Sequence, residues 1–254
     1  TLVEVHQEGI RIPPAKIMRR GVLNDDVLSI MLTNVRMPEQ NWGDLKAQIA
    51  AMNTGERRVH EMIAKFGIET FKQGTAQLLD YAERQARAIV RGLPDGRYFF
   101  ADYMDEDVAD GYPCRIALDV TIEGEEMIFD FTGSDPQIEG SVNIPTGGEV
   151  RHALIMVGLV YVLYSLDTDL FLNSGVARVC RCILPSGSIV NPEFPAAVGL
   201  RTLSAQRLQA IIFGALVQAA PDRLPASPAS GGPIMNVNAI DNKTGRRVVA
   251  SLDP

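Results

Sequence analysis

Cysteine, histidine and tryptophan are all scarce in this 254-residue chain, which carries three, three and one of them. Cys114, Cys180 and Cys182 are odd in number and contain no CxxC pair, which argues against a disulfide framework and fits a reducing cytoplasm. His6, His60 and His152 are dispersed and lack carboxylate or thiol neighbours at ligand spacing, so they form no metal set. Positive charge is in deficit, with 24 Lys and Arg against 31 Asp and Glu and a formal net charge of -7. No basic stripe results, which argues against nucleic-acid binding. Long hydrophobic runs are missing as well. The longest, Ala153 to Leu166, is too short and too rich in Gly, Ser and Tyr to span a bilayer, and no signal-like segment opens the chain. GxGxxG, GxSxG and SxxK patterns are absent, so nothing indicates nucleotide binding by this chain alone.

What is present is core-forming material. A hydrophobic content of 46% supports one large domain or two small ones. The spacing divides the chain into a mainly helical segment, residues 1–96, and a mixed α/β segment, 97–254. The fold class expected is α+β, a helical N-terminal third followed by an antiparallel or mixed sheet with packed helices. Asn41 or Asp44 can cap a helix running through Met52, and Thr54 can cap a second, Glu56 to Phe66, closed by Gly67. Glu69 to Arg91 is the clearest helix. Its apolar residues recur at steps of three and four, while Asp80 with Arg84 and Glu83 with Arg87 are spaced as i,i+4 ion pairs. Gly92 is positioned for a left-handed cap.

After Gly96 the period becomes two. Arg115 to Glu123 alternates apolar and polar residues, and Met127 to Phe131 resumes after a Gly124-Glu125-Glu126 turn, which predicts a hairpin with one buried face. A mainly apolar helix is expected over 149–165, a strand over 176–184, a strand end at Ile189 to Pro192 and an amphipathic helix over 203–219. The tail predicts a strand pair, 234–240 and 246–252, after a flexible stretch from Pro225 to Pro233. The apolar helices over 153–166 and 203–219 suggest oligomerisation.

Several segments could carry chemistry. Asn34, Arg36, Asp44 and Gln48 could present an arginine, a carboxylate and amides to one pocket, Asp44 and Gln48 sharing a helix face; a helix cap tied to the preceding loop is the structural alternative. Asp130 ends a strand before Thr132-Gly133-Ser134, where a site or an Asx turn would fit. Asn143-Ile144-Pro145-Thr146-Gly147-Gly148 precedes a helix and could admit an anion, or Thr146 could simply cap. Asn191-Pro192-Glu193-Phe194-Pro195, with Arg201 beyond it, is a stiff loop suited to a cleft or to subunit packing. Cys180 and Cys182 share a strand face and are expected to be buried thiols. Asp102, Asp105, Glu106, Asp107 and Asp110 lack the ligand order of an EF-hand and read as a solvated loop. No residue is assigned as general base.

These segments keep a definite order, from Glu8-Gly9-Ile10-Arg11-Ile12-Pro13-Pro14 through Asn34-Val35-Arg36-Met37-Pro38, Trp42-Gly43-Asp44-Leu45-Lys46-Ala47-Gln48 and Leu93-Pro94-Asp95-Gly96. The order continues through Asp130-Phe131-Thr132-Gly133-Ser134, Ser141-Val142-Asn143-Ile144-Pro145 and Asn191-Pro192-Glu193-Phe194-Pro195-Ala196-Ala197 to Pro221-Asp222-Arg223-Leu224-Pro225-Ala226. It resembles the hydantoinase B/5-oxoprolinase family, which also includes acetone and acetophenone carboxylase subunits. The resemblance covers nearly the whole chain, less distinctly in the tail. It implies an internal fragment of a longer protein, since the Glu8 segment lies well inside family members and a His- and Asp-rich metal-binding segment precedes it. A divalent metal is therefore expected, with its ligands outside this fragment. The resemblance further implies a hetero-oligomer with a hydantoinase A type subunit that binds ATP. The implied substrate is a small cyclic amide: a hydantoin, 5-oxoproline or a lactam. The large subunit of a ketone carboxylase and a non-catalytic scaffold segment are the alternatives. Asn34, Arg36, Asp44, Asp130, Asn143, Asn191 and Arg201 are the residues expected at a pocket or interface.

Overall fold

The computed structural model describes residues 2–104, 111–231, 235–245 and 247–252. It separates into two units, Gly9–Leu78 and Thr1–Glu8 together with Leu79–Pro254. The smaller unit opens with an antiparallel pair, β1 (Met18–Arg19) and β2 (Val22–Leu23). Its two-residue turn places Arg20 and Gly21 at φ 53° and 80°, the left-handed backbone that such a hairpin demands. Helix α1 (Asp25–Thr33) follows, its first turn capped by Asn24, whose Oδ1 accepts from the Val27 amide at 3.5 Å.

Helix α2 (Pro38–Phe66) is one continuous element of 29 residues where two helices were expected. Pro38 starts it, because a proline at the first turn gives up only a donor that has no partner there. Asp44 consequently lies inside the helix and caps nothing. Thr54 and Gly55 fail to interrupt it, since each costs at most about 1 kcal/mol in propensity while propagation adds a hydrogen bond per residue. Gly67 ends it at φ 82°, its amide donating to the Ile63 carbonyl at 2.8 Å. Helix α3 (Ile68–Arg91) begins immediately, and the division between units falls within it.

In the larger unit, α3 buries Ala82, Ala86 and Val90, a stripe of i,i+4 spacing. Gly92 donates to Ile89 without a left-handed torsion, so the expected αL cap is not formed. The sheet runs β3 (Gly96–Met104), β4 (Cys114–Glu123), β5 (Glu126–Asp130), β6 (Cys180–Ile183). The first two pairings are antiparallel and the last is parallel, making the α+β arrangement with a mixed sheet that the sequence implied. Strand β3 was not anticipated. One face of the sheet is fully buried through Ile116, Leu118, Val120 and Ile122 of β4, Phe129 of β5 and Cys180 and Cys182 of β6. Burial first, and then the Cys182 thiol beside it, raise the pKa of Cys180, keeping it an inert core thiol.

Helices α4 (Ala153–Leu166) and α5 (Arg201–Leu216) cover this face and each other. Their apolar character is thus used within the chain. Helix α4 starts later than expected because Gly147 and Gly148 turn the backbone at φ 59° and 73°. The first half of the expected strand over 176–184 is a 3-10 turn, Val176–Val179. A Cβ on Gly175 would stand 2.1 Å from the Leu79 carbonyl oxygen, a closeness that fixes the turn against α3. Ile189 to Pro192 forms no strand, only a Ser188–Asn191 bridge. The tail hairpin, β7 (Met235–Ile240) with β8 (Arg247–Leu252), is present as expected. Asp102 pairs with Arg207 at 2.7 Å, while the rest of the acidic stretch lies outside the described residues. Among those residues no helix is long and apolar enough to cross a membrane.

Glu83 and Arg87 form the expected i,i+4 pair at 2.9 Å, but Asp80 takes Arg178 as its partner at 2.9 Å in place of Arg84. Arg178 also reaches Glu83 at 3.1 Å. Burial works against the Glu83 carboxylate, yet the hydrogen bonds of Arg178 and Arg87 outweigh it and hold its pKa below the usual value. A carboxylate lowered in the native state stabilises above its unfolded pKa, and that contribution is lost as pH falls through the native one. Glu83→Gln is therefore expected to lower stability at neutral pH and to match the wild type in acid, measured by urea unfolding across pH. Gly175→Ala should cost about 3 kcal/mol by overpacking. Gly158→Ala, whose new Cβ would meet the buried Ile212 side chain at 2.7 Å but no backbone atom closer than 3.4 Å, should cost less, about 1 kcal/mol, in the same measurement.

Candidate functional site

Two long loops of the larger unit interlock beside the sheet: 131–152, leading into α4, and 184–200, leading into α5. The Ile144 amide donates to the Ile189 carbonyl at 2.8 Å and the Leu200 amide to the Ser141 carbonyl at 2.8 Å. Side chains finish the connection. Thr146 Oγ1 donates to the Val190 carbonyl at 2.6 Å, and Ser204 Oγ to the Val142 carbonyl. Thr146 therefore does not cap α4; His152 does, its Nδ1 accepting from the Leu154 amide at 3.4 Å.

Asn143 is the centre of this junction and is 0% exposed. Its Oδ1 accepts from the Ile138 amide at 3.0 Å. Its Nδ2 donates to the carbonyls of Ile138, Gly140 and Ala197 at 3.0, 2.9 and 3.0 Å, two hydrogens shared among three acceptors. The carboxamide is saturated by the chain itself. One residue further along the second loop, Arg201 Nη1 donates to the Val198 carbonyl at 3.2 Å. Glu8 completes the cluster. Its carboxylate accepts from the Val198 amide at 2.8 Å and from the Gly199 amide, directly before α5. A negative charge just ahead of a helix is favoured by the helix dipole. Gly199 has no room for a side chain, since a Cβ would lie 2.8 Å from the Glu8 carboxylate. Val5 donates to the Pro195 carbonyl at 2.8 Å and Ser141 Oγ to the Leu2 carbonyl at 3.1 Å, so residues 2–8 lie as a strap across the loops.

The other expected positions are dispersed. Asp130 closes an Asx turn, accepting from the Thr132 amide at 2.9 Å. Asn191 donates to the Leu184 carbonyl at 3.1 Å, and Glu193 accepts from Ser186 Oγ at 2.8 Å. Asn34, Arg36 and Asp44 all belong to the smaller unit. Asn34 Nδ2 donates to the Ile30 carbonyl at 2.7 Å, while Arg36 and Asp44 are exposed and form no ion pair with each other. Asn143 and Arg201 alone among the seven meet on one segment, Ala197–Val198. Glu8, Gly199 and Ser204 were not singled out as site residues; the glycine ahead of a helix was the one local signal.

The described residues contain no group of three or more His, Cys, Asp and Glu side chains able to hold a metal ion. His6 meets Phe194 edge to face with ring centroids 5.5 Å apart, and His152 is the α4 cap. The described residues thus do not fit a metal centre.

Comparison with known proteins gives a consistent result. A family model described as hydantoinase B/oxoprolinase matches residues 1–252. The chain is 32% identical, over 88% of its length, to the B subunit assigned to a D-/L-hydantoinase in Pseudomonas sp. strain NS671, of which it covers 39%. It is similar to the crystal structure of an ATP-dependent caprolactamase from Pseudomonas jessenii, with TM-score 0.83 and 29% identity, covering 97% of this chain and 42% of that one. A nucleotide-free acetone carboxylase structure shares the fold, with TM-score 0.83 at 16% identity over 99% of this chain and 35% of that one. The chain spans less than half the length of these relatives.

Asn143→Ala would strand buried donors and acceptors at a loss of roughly 1–3 kcal/mol each. The substitution is expected to lower the unfolding free energy by at least about 3 kcal/mol, and Glu8→Gln by clearly less, since it keeps an acceptor oxygen. Urea titration of both variants checks the ranking.

Proposed function

The chain belongs to the hydantoinase B/oxoprolinase family, and from that premise we propose that it is part of the B-type subunit of a cytoplasmic, ATP-dependent enzyme that opens cyclic amides. The observation that carries this reading is the likeness to the ATP-dependent caprolactamase across 97% of the chain. The substrate class is a hydantoin, 5-oxoproline or a lactam. An A-type partner subunit binds ATP and phosphorylates the amide oxygen, which turns a poor leaving group into a good one. A divalent metal suits the attack of water on the activated carbon, and its ligands come from outside the residues described here.

Within that enzyme this chain supplies positioning. Glu8, Asn143 and Arg201 fix the 197–199 segment, and a fixed backbone is what holds a reactant in attack geometry. Arg36 and Asp44 have their charged groups exposed and suit contact with substrate or with the A-type subunit. Asp130 and Asn191 stand at loop ends that suit the wall of a pocket.

The purified protein with its A-type partner should hydrolyse ATP several-fold faster when a hydantoin, 5-oxoproline or caprolactam is added. Stimulation by a ketone with bicarbonate instead would assign the complex to the carboxylases, and no stimulation by either would overturn the enzymatic reading. Alanine at Arg36 and Asp44 separates the roles: slowed turnover in an intact complex marks substrate contact, whereas loss of the complex with normal residual turnover marks docking.

A further inference from the structure

The sheet of the larger unit buries one face under α4 and α5 and leaves the other largely open. On the open face the strand register sets Thr121 of β4, Ile128 of β5 and Arg181 of β6 abreast. Beyond β6, the end of the 131–152 loop runs along the sheet edge. The Cys182 amide donates to the Val150 carbonyl there at 2.8 Å, and Arg151 Nε donates to the Cys180 carbonyl at 2.9 Å. These elements enclose a cavity of about 210 Å3, lined by that row together with Arg151, Arg178, Glu123 and Glu126. At about 30 Å3 for each water, the space suits a small organic ion and excludes a nucleotide.

Five of the lining side chains are charged, and they are unequally committed. Arg178 Nη1 is held by Asp80 at 2.9 Å and Glu83 at 3.1 Å, and Glu126 is paired with Arg87 at 3.2 Å. Arg151 spends its Nε on a neutral carbonyl, which fixes the guanidinium without cancelling its charge. Arg181 and Glu123 have no hydrogen bond or ion pair among the described residues, although both line the one cavity. Glu123 stands two strands across and two residues along from Arg181, which puts their backbones roughly 12 Å apart. Two guanidinium groups and one carboxylate are thus left uncompensated around a shared space. A guanidinium fork matches a carboxylate in shape as well as in charge. Glu123 opposes a simple anion such as phosphate and favours a ligand that also carries a cation. We propose that this cavity binds a small amino acid as its zwitterion, the carboxylate held by Arg151 and Arg181 and the ammonium by Glu123. On the function proposed above, opening a lactam converts an uncharged ring into a molecule of this class, so the cavity would take product and reject substrate. That link depends on the proposed function, whereas binding itself needs neither ATP nor a partner subunit.

Isothermal titration calorimetry of the full chain with glutamate, 6-aminohexanoate, hexanoate, inorganic phosphate and caprolactam tests the site. The two amino acids should bind, and caprolactam, which has the carbon skeleton of 6-aminohexanoate without its charges, should give no heat. Arg181→Ala should weaken amino-acid binding about tenfold, the worth of one charged hydrogen bond. The exposed Arg181 side chain has no partner to lose among the described residues, so circular dichroism of this variant should be unchanged. Glu123→Gln should weaken 6-aminohexanoate and spare or tighten hexanoate, a reversal that a purely structural role for Glu123 would not produce. No binding of either amino acid, binding indifferent to Arg181→Ala or to Glu123→Gln, or tighter binding of phosphate than of the amino acids would each overturn the proposal.

Discussion

One buried carboxamide holds the larger unit's loops in register. Asn143 ties three carbonyls and one amide that belong to stretches on both sides of α4, and it does so in a site from which water is excluded. Burial is what gives the group its force. An amide in water exchanges one partner for another at little net gain, whereas a desolvated one must be matched or the whole arrangement is penalised. The sheet and its two helices supply the dry surroundings, and the loops supply the acceptors.

The same economy governs the charges. Glu8 binds the Val198 and Gly199 amides just ahead of α5, and its carboxylate takes the space that a side chain on Gly199 would need. Across the unit, Arg178 spans Asp80 and Glu83 and so joins α3 to the turn before β6. Neither contact resembles a catalytic grouping. Both fix backbone, residues 198–199 in one case and the turn before β6 in the other.

The sequence showed clearly those elements whose pattern is local. The alternation from Arg115 to Glu123 and the Asp241 to Gly245 turn describe their strands directly, and the small residues of α3 declare its buried side. Where neighbours in sequence mislead, the reading failed. Thr54-Gly55 looks like a stop within what is a single helix, and Tyr98-Phe99-Phe100-Ala101 shows no alternation although β3 is a full strand. The site was least legible. Asn143 and Arg201 were marked, but one of the carbonyls that bind Asn143 lies 54 positions away and the first of the amides that bind Glu8 lies 190 positions away, distances at which periodicity carries no information.

That last separation bears on the order of folding. Residues 2–8 leave the ribosome long before residues 195–199 exist, so the strap has nothing to bind while most of the larger unit is being made. Closing a loop of that size costs only logarithmically more entropy than closing a short one, but it cannot nucleate the fold. Docking of the strap therefore waits on the synthesis of residues 195–199, which supply its partners.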